Sequence, residues 1–387
     1  MLTLLRDALV FAPAPLGRCD VLISGDKIAA VGPNLAEPPA GWPCEVVDCA
    51  GQTLAPGLID GHVHLTGGGG ESGPETKVPP LQLTQLTRAG VTSVVGLLGT
   101  DSETRTPREL LAAARALNRL GLSAWMWTGA YPVPTPTITG SVRGDVALIE
   151  QVIGAGEVAI SDHRSSQPTF AEIARLAAEC HVGGLLGMKA GVLHLHLGDG
   201  PRGLELVRRV IEETELPARV LHPTHCNRNP ELWRQTLAHG AAGGVADVSA
   251  FPPDPEDTGL SAAEAVRQWV DAGNDPTRLT VSSDGGGCIP VFDDEGNMSR
   301  MGVGTSATLL DAIRDLHSDG WGLDRALPFF TSNVADLLRL HGKGRVEVGA
   351  DADLMLLNAQ LEVSDVMARG AWMIRDGEPT KAGPLEA

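Results

Sequence analysis

Asp60-Gly61-His62-Val63-His64 ends an apolar run that begins at Gly57-Leu58-Ile59, and the reading of this stretch decides the fold. On a strand, residues two apart face the same way, so His62 and His64 present both imidazoles on one side, where they can share one metal ion. Gly61 lets the backbone come close. Taken alone, a His-x-His pair is as readily two satisfied core histidines, so the question is whether other strands end in the same way. Leu193-His194-Leu195-His196-Leu197 alternates, with both histidines opposite the leucines. His196, nearest the strand end, is the ligand candidate, and His194 reads as a barrel-interior or supporting histidine. Pro223-Thr224-His225-Cys226-Asn227-Arg228 follows the short run Ala218–Leu221; His225 is the stronger candidate there and His222 the weaker. Leu279–Ser283 releases Asp284 into Gly285-Gly286-Gly287, a setting for a carboxylate that binds metal and also moves protons. Four such elements at the same end of four strands are not expected of chance core histidines.

Working outward, the chain from about Pro56 to Gly342 alternates short apolar runs with helical spacing. Candidate strands end near His64, Gly99, Ala130, His196, His225, Ala250 and Asp284, with one more inside Val152–Asp162. Helical patterns cover Pro107–Leu120, Phe170–Cys180, Arg202–Glu213, Pro230–His239 and Ala262–Ala272. Eight strand–helix alternations imply an α/β chain forming a (β/α)₈ TIM-like barrel, whose active sites lie at the C-terminal strand ends. A doubly wound sheet is the alternative. Both termini read as short strands: Leu2–Phe11, Asp20–Ser24, Lys27–Val31, Val46–Leu54, Ala352–Leu357 and Val366–Ile374, the last broken at Gly370. Neither set can bury a face alone, so residues 1–55 and 343–387 are expected to form one small β-sandwich domain beside a barrel of residues 56–342. Pro252–Thr258 reads as a loop at the barrel mouth.

Composition limits the function. The 387 residues include 30 Lys plus Arg against 48 Asp plus Glu, a formal net charge of −18. That acidity argues against nucleic acid or an anionic membrane as partner, though a pocket can hold arginines of its own. Six scattered cysteines with no CxxC pair suit reduced thiols in a cytoplasmic protein. The first ten residues carry Arg6 and Asp7 within their apolar run and fit neither a signal peptide nor a membrane span.

Neutral imidazoles and hard carboxylates suit zinc, and a bound divalent ion lowers the pKa of water to about 7. A hydrolase with two divalent metals is therefore the functional reading. Glu71 follows four glycines; a mobile surface loop is the plain alternative to a flexible lid presenting a carboxylate to an ammonium. The sole tyrosine, Tyr131, stands at a strand end beside Gly129, and Arg164 and Arg228 follow metal-bearing strand ends with forks suited to carboxylates. His163 is a supporting candidate, while His181, His239, His317 and His341 fall on helices or surface.

In this order, these residues resemble the amidohydrolase superfamily and, within it, the isoaspartyl (β-aspartyl) dipeptidases. The resemblance runs from about residue 50 to the C-terminus. It is carried by the runs from Gly57 to Glu71 and Gly90 to Thr100, by Thr128-Gly-Ala-Tyr131 and Thr137-Ile-Thr-Gly-Ser141, and by Ile160-Ser-Asp-His-Arg164, Pro223 to Arg228 and Ser282-Ser-Asp-Gly285. It implies cleavage of the isopeptide bond of a β-aspartyl dipeptide by a metal-bridging hydroxide. His62, His64 and Asp284 would hold one metal, and His196 and His225 the other. Glu71 would hold the free α-amine, Arg164 and Arg228 carboxylates, and Tyr131 the scissile carbonyl, with Gly69 and Thr100 lining the pocket. Asp284 would carry the proton from hydroxide to leaving amine. The family has serine where Cys288 stands as a substrate contact. The resemblance also implies a homo-oligomer, an octamer being one form. A cyclic amidohydrolase of the dihydroorotase or hydantoinase kind is the alternative, but a ring substrate would leave Glu71 without an ammonium. A barrel that serves assembly only is a third reading.

One departure stands out. The best-known family pattern bridges its metals with a carboxylated lysine; counting back from Ile160, that position here is Glu157, in Gly154-Ala-Gly-Glu157-Val. Glutamate already carries a bridging carboxylate but reaches roughly 3–4 Å less far. Gly154 and Gly156 could supply a bulge that moves the strand inward. The rival bridge is Lys189, seven residues before His196 and so at the far end of the strand unless Gly191 turns the chain.

Overall fold

Where the sequence alternates, the computed structural model forms eight parallel strands, each followed by helical or irregular crossover segments. It describes residues 2–39, 41–252, 258–292 and 298–386. Leu58–Val63, Val91–Gly96, Ser123–Thr128, Val152–Ile160, Val192–Leu197 and Leu221–Thr224 make one six-stranded parallel sheet in chain order. Ala246–Ser249 and Leu279–Ser282 pair in parallel as well. The curl closes through the Cys226 amide donating to the Asp247 carbonyl at 3.2 Å and the His64 amide donating to the Gly285 carbonyl at 2.8 Å. Apart from the half-buried Trp125, these strands are buried along their length, as barrel strands covered on both faces must be.

The helices form for local reasons. Pro107–Leu120 starts behind Thr106, whose hydroxyl caps the Glu109 amide at 3.2 Å, has proline in its first turn, and stops at Gly121 in the left-handed region. Its buried Leu110, Leu111, Ala114 and Leu117 fall on one face and cover the barrel. Asn229 and Ser261 cap Pro230–Ala241 and Ala262–Asp271 in the same manner. Phe170 opens a helix that runs on to Gly187, seven residues past the expected end at Cys180; no proline or glycine interrupts it before Gly183. Glu205–Glu213 starts three residues later than expected.

Both termini contribute to a separate nine-stranded sheet in which Leu54 pairs with Leu356 and Val10 with Leu54. One expectation is corrected: Val46–Leu54 is two strands, Cys44–Asp48 and Thr53–Pro56, both parallel to Leu2–Phe11. Ala50 and Gly51 adopt positive φ between them, a turn that the apolar pattern concealed. Lys343 joins this sheet to the barrel; its buried ammonium meets Asp353 and the Ser123 hydroxyl, both at 2.6 Å. The six cysteines are unpaired. Among the described residues, no helix is long and apolar enough to cross a membrane. Of the expected mouth loop, residues 253–257 lie outside the described residues.

Inside the barrel the side chains are layered. Ile59, Val95, Trp127, Ile153 and Val192 meet Val334 and Leu338 in an apolar plug. Above it the interior turns polar, and the site sits on that polar layer.

Candidate active site

The strand ends bring His62, His64, Glu157, His225 and Asp284 together in the barrel mouth. Ligand atoms of His62, His64 and Asp284 lie within 4.8 Å of one another, as do those of His62, Glu157 and His225. Asp284 Oδ1 is 3.1 Å from His64 Nε2 and 3.4 Å from His62 Nε2. Even so, His62 Nε2 and Asp284 Oδ1 have no hydrogen-bond partner although both are buried. Buried polar atoms this close are normally paired; atoms that converge without aligning on each other suit a shared cation between them. The donor set of imidazole and carboxylate fits divalent metal.

Glu157 sits between the two groups. Its Oε1 is 3.5 Å from His64 Nε2, and its Oε2 lies 2.9 Å from His196 Nδ1, 3.3 Å from His225 Nε2 and 3.6 Å from His62 Nε2. The backbone makes this reach possible. Ala155 faces Leu193 and Val158 faces Leu195, so Gly156 and Glu157 together oppose His194 in a bulge. A Cβ on Gly156 would stand 2.7 Å from the Cβ of His194, so only glycine lets the strands approach there. Lys189 is elsewhere: its ammonium caps the carbonyls of Val146, Ile149 and Val152 near the opposite end of the barrel.

The loop after the last strand is shaped around Asp284, where a Cβ on Gly287 would come within 2.2 Å of the carboxylate. Asp284 and His225 both hold positive φ, 54° and 58°, a conformation that persists only where surrounding contacts enforce it. Burial alone would raise the Asp284 carboxyl, but the imidazoles of His62 and His64 close beside it outweigh that and hold it well below the usual carboxylate range.

His196 reaches the cluster through Glu157. Its other nitrogen, Nε2, is 2.9 Å from Asp162 Oδ2, and the Tyr131 hydroxyl is 2.9 Å from Nδ1. Burial keeps the Tyr131 hydroxyl well above its ordinary pKa, so it remains a proton donor at any physiological pH. Arg164 binds Asp162 through two contacts, Nε at 3.1 Å and Nη2 at 2.8 Å, and its guanidinium lies 5.5 Å from the Tyr131 ring centre.

At the rim, the Thr100 hydroxyl donates to Glu71 Oε1 at 2.9 Å, and Arg164 Nη1 is 3.6 Å from the same oxygen. Glu71 Oε2 is buried without a partner. Arg228 lies 3.8 Å from Asp199 and over Phe251. These groups, with Gly69 and Cys288, line one cavity of about 660 Å³ above the histidine and carboxylate cluster. Burial, with the nearby Glu71 charge, pushes the Cys288 thiol up to about 12, so it stays protonated.

Sequence reasoning missed Asp162, whose carboxylate orients both His196 and Arg164, although it lies in a run quoted above. It also missed the hairpin Cys288–Phe292 and Met298–Val303, which brings Ile289, Arg300 and Met301 to the cavity wall. A signal existed: two short strand-like runs separated by Asp293-Asp294-Glu295-Gly296.

A parallel barrel with a histidine and carboxylate cluster at its C-terminal strand ends defines a metal-dependent hydrolase, and the family model of the amidohydrolases matches residues 53–373; the chain belongs to that family. More specifically, it is similar to the β-aspartyl dipeptidase of the thermophilic, keratin-degrading Fervidobacterium islandicum, solved with a β-Asp-Leu dipeptide: 39% identity, 99% of each chain covered, TM-score 0.95. A second structure of that enzyme gives 38% identity and a TM-score of 0.91, covering 99% of this chain and 100% of that one. Among curated proteins, the L-hydantoinase of Paenarthrobacter aurescens is 22% identical over 95% of this chain and 88% of its own.

Proposed function

We propose that this enzyme hydrolyses the isopeptide bond of β-aspartyl dipeptides. The observation that carries this reading is Glu71, which lines the cavity above the histidine and carboxylate cluster and whose buried Oε2 has no hydrogen-bond partner. A carboxylate so placed recognises an ammonium, and the free α-amine of an isoaspartyl residue is one. The similarity to the β-aspartyl dipeptidase supports the same substrate.

His62, His64 and Asp284 would hold one divalent ion, His196 and His225 a second, with Glu157 bridging. Zinc is the metal that this donor set suits best. Such a pair supplies a hydroxide at neutral pH and draws electron density from the scissile carbonyl. The rest falls to the chain's own residues. Glu71 fixes the α-amine, and Arg164 and Arg228 hold the two carboxylates. Tyr131 donates its hydroxyl proton in a hydrogen bond to the carbonyl oxygen as charge develops there. Asp284 takes the proton from the attacking oxygen and returns it to the departing amine, so the peptide nitrogen leaves neutral. Thr100 keeps Glu71 in place, and Gly69 and Cys288 shape the pocket wall. We further propose that the enzyme is cytoplasmic, in keeping with its unpaired thiols, that it is homo-oligomeric, as the family resemblance implies, and that residues 1–55 with 343–387 behave as a domain apart from 56–342.

The test is an assay of β-Asp-Leu against dihydroorotate with metal analysis of the same preparation. We expect about two divalent ions per chain, turnover of the dipeptide and loss of it in chelator. A metal-free preparation that is fully active, or one that prefers the cyclic amide, would overturn the reading.

A further inference from the structure

Below the ligand cluster, the barrel interior carries polar side chains that the proposed chemistry does not use. His62 Nδ1 lies 2.8 Å from His194 Nε2, and His194 Nδ1 lies 3.0 Å from His222 Nδ1. His222 Nε2 is 3.1 Å from Thr280 Oγ1, which is 2.5 Å from Asp247 Oδ1. The five residues come from five different barrel strands, and none is more than 3% exposed. Trp127 stacks on His194 with ring centres 5.0 Å apart and seals it from the side.

Each link holds one proton, and the direction is set at the Asp247 end. Its carboxylate also takes the hydroxyls of Thr224 at 2.7 Å and Ser282 at 2.6 Å, three donors converging on a group that, when ionised, only accepts. The single Thr280 proton is therefore committed to Asp247, and the Thr280 oxygen must accept from His222 Nε2–H. A neutral imidazole has one N–H. His222 Nδ1 thus accepts from His194 Nδ1–H, and His194 Nε2 accepts from His62 Nδ1–H. With His62 neutral, as it must be to bind metal, what remains on it is the Nε2 lone pair, on the buried atom already seen to lack a hydrogen-bond partner. In the reverse order the same links would place a proton on that atom and block it.

We infer that His194, His222, Thr280 and Asp247 are positioning residues: a one-way hydrogen-bond series that starts at Asp247, fixes the His62 tautomer and aims its Nε2 lone pair at the metal. His194 and His222 bind no metal themselves. Supporting groups of this kind hold a ligand ring in orientation, and removing one typically costs about 10- to 100-fold in metal affinity.

The inference rests on His62 being a metal ligand, and the experiment separates the two. In zinc-loaded, unmodified protein labelled with ¹⁵N-histidine, NMR should find the proton of His222 on Nε2 and those of His194 and His62 on Nδ1. A preparation that binds no zinc overturns the ligand reading; zinc bound with the opposite proton placement overturns this one alone. Zinc retention against a competing chelator gives a second readout. Thr280→Val should retain zinc about 10- to 100-fold less well, whereas Thr280→Ser, which keeps the hydroxyl, should match the unmodified protein. Equal retention by a folded Thr280→Val protein would also overturn the inference, and should that variant not fold, the NMR measurement on unmodified protein decides.

Discussion

Glu71→Gln tests the proposed specificity most directly. Glu71 Oε1 is anchored by Thr100 at 2.9 Å, a contact the glutamine carbonyl can keep, so the side chain should hold its place. What changes is the unpartnered Oε2, replaced by an NH₂ group that donates where an ammonium also donates. A hydrogen bond between charged partners contributes about 1.5–3 kcal/mol, and the Glu71 side chain is only 11% exposed, so solvent screens it little. Arg164, 3.6 Å away, already offsets part of the charge and keeps the expectation inside that range. At about 1.36 kcal/mol per decade, kcat/KM for β-Asp-Leu should fall roughly 10- to 100-fold. N-acetylation of the substrate amine should cost unmodified enzyme a similar factor. Combining the two separates recognition from damage: if carboxylate and ammonium touch, the Gln variant should lose little more on acetylation, a coupling of about 1 kcal/mol or more. The assay is steady-state hydrolysis of both substrates by both proteins, with metal content checked. Losses that simply multiply, or equal turnover of free and acetylated dipeptide by the unmodified enzyme, would refute the reasoning.

Tyr131→Phe should lower kcat by about 10²-fold or more with metals retained, since one donor to a developing oxyanion is worth about 3–4 kcal/mol; an unchanged kcat would reduce Tyr131 to packing. Glu157→Ala should lose both metal and activity, and metal-stripped unmodified protein should regain activity with zinc in CO₂-free buffer; a strict bicarbonate requirement would place the bridge elsewhere. Metal affinity should depend on pH through His62. Burial alone would lower its pKa, but the carboxylates of Glu157 and Asp284 outweigh that and raise it to about 9 in the metal-free protein. Metal must then displace a proton below that pH, so chelator competition should show apparent affinity rising up to about tenfold per pH unit from 7 to 9 and levelling above. A flat profile over that range would contradict the assignment of His62.

The barrel was legible because its strands announce themselves as apolar runs, and four of them a second time by ending at His64, His196, His225 or Asp284. His62, His64, His225 and Asp284 meet because each stands at the C-terminal end of its strand, and parallel barrel strands put those ends on one rim. Period and position were enough. Less visible was whatever depends on partners distant in the chain. Asp162 reads as one acid among 48 Asp and Glu until folding lays it against His196 and Arg164. His222 and Thr280, 58 residues apart, carry no local signature, because hydrogen bonds across a barrel interior leave no trace in spacing. The division of residues 44–56 into two strands was hidden for a different reason: Val46, Val47 and Leu54 share the look of one strand, and only Ala50-Gly51 marks the turn.

Glu157 shows how local reading and tertiary geometry complete each other. A carboxylate at that position satisfies the chemistry of a bridge, yet its side chain is too short for a regular strand to deliver it. Length absent from the side chain has to come from the backbone, and in a closed barrel the backbone can move inward only where the neighbouring strand lets it. Gly156 meets that demand: with no Cβ, it lets the bulged strand pass within contact of His194. Gly154 does the same against the Val192 carbonyl, which a Cβ there would approach to 2.1 Å. The two glycines and the glutamate are thus one device, and none accounts for the geometry without the others. The residue that the bulge presses against, His194, is also the one that holds His62 in place. Moving the proposed bridge inward and orienting His62, a proposed ligand, therefore draw on the same contact, so a side chain at Gly156 should disturb both halves of the histidine and carboxylate cluster at once.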